Sequence, residues 1–215
     1  MIITIDGPAG AGKSSAAREL ARRLGFRFLD TGAMYRAVAY AAVQRQLDWN
    51  DSPALADLAW QLTIDVNEER VLLDGQDVTT EIRTSQITAA TRYAADHPGV
   101  RAHLVELQRR VGQGQNLVTE GRDQGTVVFP AAECKVFLTA SPEERARRRW
   151  EDLAANGEQL SFEEVLAQQY GRDASDAQRE VGALRPAPDA IELITDGLTA
   201  TQVVDALERL ARQKM

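Results

Sequence analysis

Residues 7–15 read Gly7-Pro8-Ala9-Gly10-Ala11-Gly12-Lys13-Ser14-Ser15, and the first eight have the spacing G-x-x-x-x-G-K-[ST] of a phosphate-binding loop. Glycines let successive backbone N–H groups turn inward around a polyphosphate without a Cβ in the way. A helix opening at the lysine aims its positive end at the same place. Lys13 is placed to reach β- and γ-phosphates, and a hydroxyl from Ser14 or Ser15 to approach Mg²⁺. The flanks agree. The apolar run Ile2-Ile3-Thr4-Ile5 reads as a strand before the loop, and Ala16, Ala17, Leu20, Ala21 and Leu24 form one helix face after it, stopped by Gly25. A glycine-rich turn that binds nothing would explain neither the lysine nor these flanks.

A phosphate loop implies a nucleotide but no particular reaction; the arginines narrow the choice. Arg145-Ala146-Arg147-Arg148-Arg149 follows a buried-strand pattern, and three consecutive arginines point different ways around a helix. The nearby acids, Glu144 and Glu151, are too few to pair with all of them. A solvated basic face is one reading. A lid whose arginines, Arg148 and Arg149 among them, close on ATP phosphates and neutralise the moving phosphoryl group is the other. Arg36, Arg101, Arg122, Arg172 and Arg179 each lie at or beside an expected loop or helix end. Arg172–Arg179 interleaves arginines with carboxylates, and an ordinary surface salt-bridge cluster would look the same. His97 and His103 have no nucleophile or carboxylate constellation around them and read as structural. No Cys/His spacing suggests zinc.

The elements that must position these groups alternate β and α, which predicts an α/β fold with a parallel sheet wrapped by helices. Asp30–Arg36 follows the short apolar stretch Phe26–Leu29 and runs into an Ala-rich helix to about Gln46. Ser52-Pro53 opens another, with Ser52 as the expected N-cap. Thr63–Val66, Arg70–Leu73 and Gln76–Val78 read as short strands of a small antiparallel insert, with Asp74-Gly75 as the hairpin turn. Helices are expected over Ser85–Ala95 and Pro98–Val111, strands over Asn116–Thr119, Lys135–Thr139 and Ile191–Ile194, and a last helix from Thr199 to about Gln213. Ser141-Pro142-Glu143-Glu144 and Ser161-Phe162-Glu163-Glu164 read as capping boxes.

Composition sets outer bounds. A chain of 215 residues with 44% apolar content suits one domain with a real core. The net charge of −7 argues against general nucleic-acid binding. Of the 25 basic residues only Lys13, Lys135 and Lys214 are lysines; a GC-rich genome explains that bias, yet it also supplies planar forks for phosphate. No apolar run approaches the ~18 residues of a membrane span. The chain starts on a core strand, leaving no room for a signal peptide. The lone Cys134 opens an apolar strand and reads as a core residue of a reduced, cytoplasmic protein.

Taken together, the chain resembles the bacterial cytidylate kinase family over nearly its whole length. The residues that carry the likeness are Ile5–Lys13, Leu29–Arg36, Asp74–Arg83, the run Glu120-Gly121-Arg122-Asp123-Gln124-Gly125-Thr126-Val127-Val128-Phe129-Pro130, Ser141–Arg149, and 172–186. The phosphate loop is shared by many kinases; the Gly121–Pro130 run and the β insert are far more specific. The resemblance implies a single domain in three parts: a core, a nucleoside-monophosphate part with the insert at about 31–111, and an arginine lid at about 145–172. It implies transfer of the γ-phosphoryl group of ATP to CMP and dCMP, with Mg²⁺, in a monomer needing no protein partner. The positions matching Arg36 and Arg122 hold the CMP phosphate. Those matching Thr91, Arg101 and Asp123 read the cytosine, those matching Arg172 and Asp176 face the ribose, and Arg179 lies between ribose and phosphate. Thr31 matches a further substrate-binding position. Thr31 and Thr91 stand where serine is common, and Ser14-Ser15 replaces a common Gly-Thr. Ile194 stands where aspartate is frequent, so no role is carried there.

Three other readings share some of these features. An adenylate- or shikimate-type kinase has the loop and lid but lacks the insert and the Gly121-Arg122-Asp123 run. A GTP-dependent switch needs an Asn-Lys-x-Asp motif, and no Asn-Lys pair occurs. A non-catalytic ATP-binding module does not need two sets of arginines.

Overall fold

The computed structural model describes residues 1–67, 70–155 and 157–215. Asn156, inside the expected lid, lies outside the described residues. The chain divides into two compact units, residues 1–26 with 117–215, and residues 27–116.

The first unit is built on strands β1 (Ile2–Asp6), β6 (Leu117–Gly121), β7 (Cys134–Thr139) and β8 (Ile191–Ile194). They lie in the order β6-β1-β7-β8. All pairings are parallel, with Ile3 opposite Val118 and Cys134, and Val136 opposite Ile191. Ile3, Ile5, Leu117, Val118, Val136 and Leu138 are buried, as strands with both faces covered must be. Helix α1 (Lys13–Leu24) packs on β6 and on α8 (Ala200–Arg212). Gly25 ends α1 in the left-handed conformation, φ 66°. Cys134 is buried in the core.

Helices α6 (Pro142–Ala155) and α7 (Phe162–Gln178) form an antiparallel hairpin with a small core of its own, Ala146, Leu153 and Val165, joined by Leu160, Phe162 and Leu166. The Trp150 indole donates to the Leu160 carbonyl across it (2.9 Å). The Ser161 capping box at the start of α7 is complete. The Ser141 box is half formed. Ser141 Oγ accepts from the Glu144 N–H (3.3 Å), but the Glu144 carboxylate turns to Arg147 and Arg148, and the Ser141 N–H donates to Asp196 instead.

The second unit carries β2 (Arg27–Asp30), α2 (Thr31–Gln44), α3 (Ser52–Gln61), a three-stranded antiparallel sheet of β3 (Ile64–Val66), β4 (Val71–Leu73) and β5 (Gln76–Asp77), then α4 (Ser85–Asp96) and α5 (Pro98–Gly112). The Asp74-Gly75 turn has φ of 50° and 82°, the two positive values a two-residue hairpin of this type requires. Helix α3 is capped by Asp51, whose carboxylate accepts from the Ala54 N–H (3.1 Å), and not by Ser52. The Ser52 hydroxyl is 2.6 Å from His97 Nε2. Helices α3 and α5 approach so closely at Gly99 that a Cβ there would lie 2.8 Å from the Ala56 methyl.

Candidate phosphate-transfer site

Each element of the phosphate loop is where the sequence requires it. Gly7, Gly10 and Gly12 have φ of 150°, 78° and 85°, conformations that L side chains rarely adopt. A Cβ on Gly7 would collide with the Leu138 carbonyl, and one on Gly10 would come within 3.2 Å of Arg145 Cβ. The loop is thus threaded tightly between the end of β7 and the start of α6. Pro8 and Ala9 are buried, Ala11 packs inward, and Gly12 hands over to α1. Lys13 is buried, and its ammonium donates to the Pro8 carbonyl (2.7 Å).

Lys13 sits among charges of both signs. Burial pushes its ammonium well below the ordinary lysine range; Arg122 and Arg172 push the same way, and Glu120 and Asp6 oppose them. Asp6, at the end of β1, accepts from the Gln124 and Gly125 N–H groups (2.8 and 2.7 Å). Its burial outweighs those donors and raises its carboxyl to about 6. The donors open a short π turn, Gln124–Val128, closed by Phe129 N–H to the Gln124 carbonyl (2.7 Å). Turns of this kind gather at functional sites. Asp123, buried, stands at its head, and its charge reinforces the rise at Asp6.

Ser14 and Ser15 differ in their partners. The Ser14 hydroxyl donates to the Glu120 carboxylate (2.9 Å), while Ser15 has no side-chain bond among the described residues. A hydroxyl and a carboxylate at the mouth of a phosphate loop suit Mg²⁺, which takes oxygen ligands and is held by one or two protein groups plus phosphates. Among the described residues, no cluster of three His, Cys, Asp or Glu could cage a metal alone.

A basic cluster adjoins the loop. Asp176 on α7 accepts from Arg122 Nε and from Arg179 Nη2, each at 2.7 Å. Burial raises the Asp176 carboxyl, but Arg122, then Arg179 and Arg172, outweigh it and leave the carboxyl low. Arg122, Arg172 and Arg179, each expected from sequence, are thus gathered around Asp176, and Arg122 and Arg172 also act on Lys13. Guanidinium groups gathered around a buried carboxylate are suited to phosphate oxygens.

The arginine run after β7 divides by role. Arg145 is buried: its guanidinium donates to the carbonyls of Ala140 (2.9 Å) and Ala9 (3.2 Å) and to Asp173 (2.7 and 3.1 Å). Arg147 is exposed and paired with Glu144 and Glu151. Arg148 donates to Glu144 (2.8 Å) and to the Thr195 hydroxyl and carbonyl (3.2 and 2.9 Å). Arg149 is exposed and has no ion pair among the described residues.

The remaining expected residues lie in the second unit. Thr31 is buried at the start of α2. Arg36 Nη2 donates to both oxygens of Asp30 (3.3 and 3.1 Å), and Asp30 also caps α2 by accepting from the Ala33 N–H. Arg101 is buried over the Tyr35 ring, 5.7 Å from its centroid, and donates to the Ala95 carbonyl (3.1 Å). The Thr91 hydroxyl donates to the Ile87 carbonyl of its own helix (2.7 Å), which uses its proton and leaves its lone pairs to accept. His97 caps α5 through Nδ1, and His103 is buried against Trp60; both are structural.

Glu120, Asp6, Gln169 and Asp173 were not among the site residues expected from sequence, and Arg145 was expected only as one of the lid run. An acid closing a buried strand just before a glycine was the available signal for Glu120.

Comparison with known proteins agrees with these features. The cytidylate kinase family model matches residues 3–213. The chain is 54% identical over 213 residues to a cytidylate kinase of Rhodopirellula baltica, covering 99% of this chain and 93% of that one. It is 48% identical to a bifunctional pantoate ligase/cytidylate kinase of a Synechococcus strain, of which it spans 41%. In fold it is similar to a shikimate kinase from Bacteroides thetaiotaomicron, with a TM-score of 0.52 at 16% identity, covering 99% of this chain and 98% of that one. Phosphate loop, β insert, Gly121-Arg122-Asp123 run and full-length similarity together place the chain in the cytidylate kinase family.

Proposed function

We propose that this protein transfers the γ-phosphoryl group of ATP to CMP and dCMP, giving CDP or dCDP and ADP. The observation that carries the reading is the meeting of Lys13, Glu120, Arg122, Arg172, Asp176 and Arg179 at one phosphate loop in a chain of this family.

Phosphoryl transfer requires little covalent help from the protein; positioning and charge neutralisation are its main contribution. The backbone of 7–15 cradles the triphosphate, and Lys13 leaves the Pro8 carbonyl for the β/γ-phosphate oxygens. Ser14 and Glu120 would hold Mg²⁺, directly or through water, and the ion would supply positive charge against that of the phosphates. Ser15 is the weaker candidate, because no side-chain hydrogen bond orients it among the described residues. Arg148 and Arg149 serve the lid at 145–172, and Arg149, which has no ion pair among the described residues, is the one able to swing to the transferring group.

For the acceptor, Thr31 and Arg36 of residues 27–116 are the candidates for the CMP phosphate, and Arg122 is the candidate contributed by the other unit. Arg101, Asp123 and Thr91 read cytosine: a carboxylate accepts from its exocyclic amine, and an arginine fork donates to O2 and N3. Asp176 accepts from a ribose hydroxyl, with Arg172 and Arg179 flanking it. We place the activity in the cytoplasm, in keeping with a single buried cysteine and with the absence, among the described residues, of any helix long and apolar enough to cross a membrane.

The test is turnover with ATP and a panel of monophosphates. CMP and dCMP are expected as the best acceptors, UMP weaker, AMP and GMP near background. Preference for AMP overturns the reading.

A further inference from the structure

The carbonyl of Ala9, in the middle of the phosphate loop, is gripped by two buried donors from two different helices. Arg145 Nη1 of α6 reaches it at 3.2 Å, and the Gln169 amide of α7 at 3.0 Å. Asp173 joins the two donors: its Oδ1 accepts from Arg145 Nη1 and from Gln169, each at 3.1 Å, and its Oδ2 accepts from Arg145 Nη2 at 2.7 Å. Arg145 and Gln169 are 4% and 6% exposed, so these bonds are shielded from water and their loss would leave polar groups stranded. The α6–α7 hairpin that carries all three is a packed body with its own core.

A phosphate loop works by presenting N–H groups to the anion, and an inward carbonyl would repel it. A carbonyl held by Arg145 and Gln169 cannot also face a phosphate. We propose that Arg145, Gln169 and Asp173 form a latch that fixes the peptide after Ala9 in its anion-receptive orientation and ties the lid hairpin to the loop. Arg145 and Gln169 are positioning residues: they touch the loop, not the substrate. The first arginine of the run thereby has a different task from Arg148 and Arg149. The inference rests on the kinase reading only for its donor, a nucleotide polyphosphate.

The test uses the full chain. Gln169→Met removes the amide at nearly constant length, and Arg145→Lys keeps the charge but loses the fork that serves Ala9 and Asp173 together. Each is expected to raise KM for ATP about three- to tenfold, the effect of one or two buried hydrogen bonds, with KM for CMP within about twofold. The double variant should fall short of the product of the single effects, because both act on one carbonyl. Calorimetric titration with ADP should show the same weakening without turnover. An unchanged ADP affinity in both single variants overturns the proposal. So does a parallel loss of ADP and CMP affinity with a lowered Tm, which marks a general packing role. Failure of the wild type to phosphorylate CMP would count against the acceptor assignment, and the ADP titration would still decide the latch.

Discussion

The Ser14 hydroxyl donates a 2.9 Å hydrogen bond to the Glu120 carboxylate, joining the first turn of α1 to the end of β6 across 106 residues of sequence. The pair presents a hydroxyl and a carboxylate at the phosphate loop, and it fixes which of two adjacent serines is oriented. Glu120→Gln keeps the size and the acceptor oxygen but removes the charge. It is expected to raise the Mg²⁺ concentration for half-maximal turnover about tenfold or more, with Ser15→Ala leaving it unchanged. A Mg²⁺ titration of turnover at saturating nucleotide checks this, and an unaltered midpoint in Glu120→Gln would remove Glu120 from the metal's neighbourhood.

In the proposed reaction Lys13 serves the charge that develops during transfer. Losing one such donor typically costs about 10²–10³ in kcat. Lys13→Met, which keeps the buried stem, should lose turnover on that scale while its circular dichroism and Tm stay near those of the wild type. Near-normal turnover would contradict the role given to the loop.

Arg148 and Arg149 are neighbours with different surroundings, so their variants should differ in kind. Arg148→Ala breaks bonds to Glu144 and Thr195 and should lower Tm along with kcat. Arg149→Ala breaks none of the bonds described and should lower kcat at least tenfold with Tm unchanged. Equal kcat in Arg149→Ala and wild type would return the run to a solvated basic face.

His103 is 4% exposed, lies 4.4 Å from the Trp60 ring centre, and neither ring nitrogen has a hydrogen-bond partner among the described residues. Burial lowers its pKa from the ordinary 6.5; Arg110 adds to the effect and Glu106 opposes it. The folded protein therefore binds this proton less readily than the unfolded chain. The stability from keeping His103 neutral is fully present above about pH 6.5 and is lost as pH falls below it, toward the lower folded value. Denaturant midpoints measured from pH 8 to pH 5 should fall more steeply in the wild type than in His103→Phe. Parallel curves would show that His103 does not contribute to the acid loss.

Much of this was legible because it is local. The phosphate loop, its lysine and the helix behind it follow from contiguous residues, and the Asp74-Gly75 hairpin from two. The errors were at places where neighbours compete. Asp51 and Ser52 are both good caps, and the structure uses Asp51 for α3 and spends Ser52 on His97. Glu144 fits a capping box, but two arginines three and four residues on attract its carboxylate more strongly than a backbone N–H does. Nothing in the spacing of Arg145–Arg149 says which arginine turns inward; the partners that decide it, Ala9 and Asp173, are 136 and 28 residues away. Glu120 had only a local signal, the acid closing a buried strand, because its partner Ser14 is on another element.

Asp123 carries the central claim most directly, because a carboxylate suits the amine of cytosine and repels the O4 of uracil. The measurement is kcat/KM for CMP and for UMP in the wild type and in Asp123→Asn. A site that hydrogen-bonds its substrate can reject an analogue lacking the partner by up to ~10⁴–10⁵. The account predicts a large CMP preference in the wild type and a much smaller one in the variant, whose amide can donate to O4 as well as accept from N4. A CMP-to-UMP ratio that is the same in both proteins would contradict it.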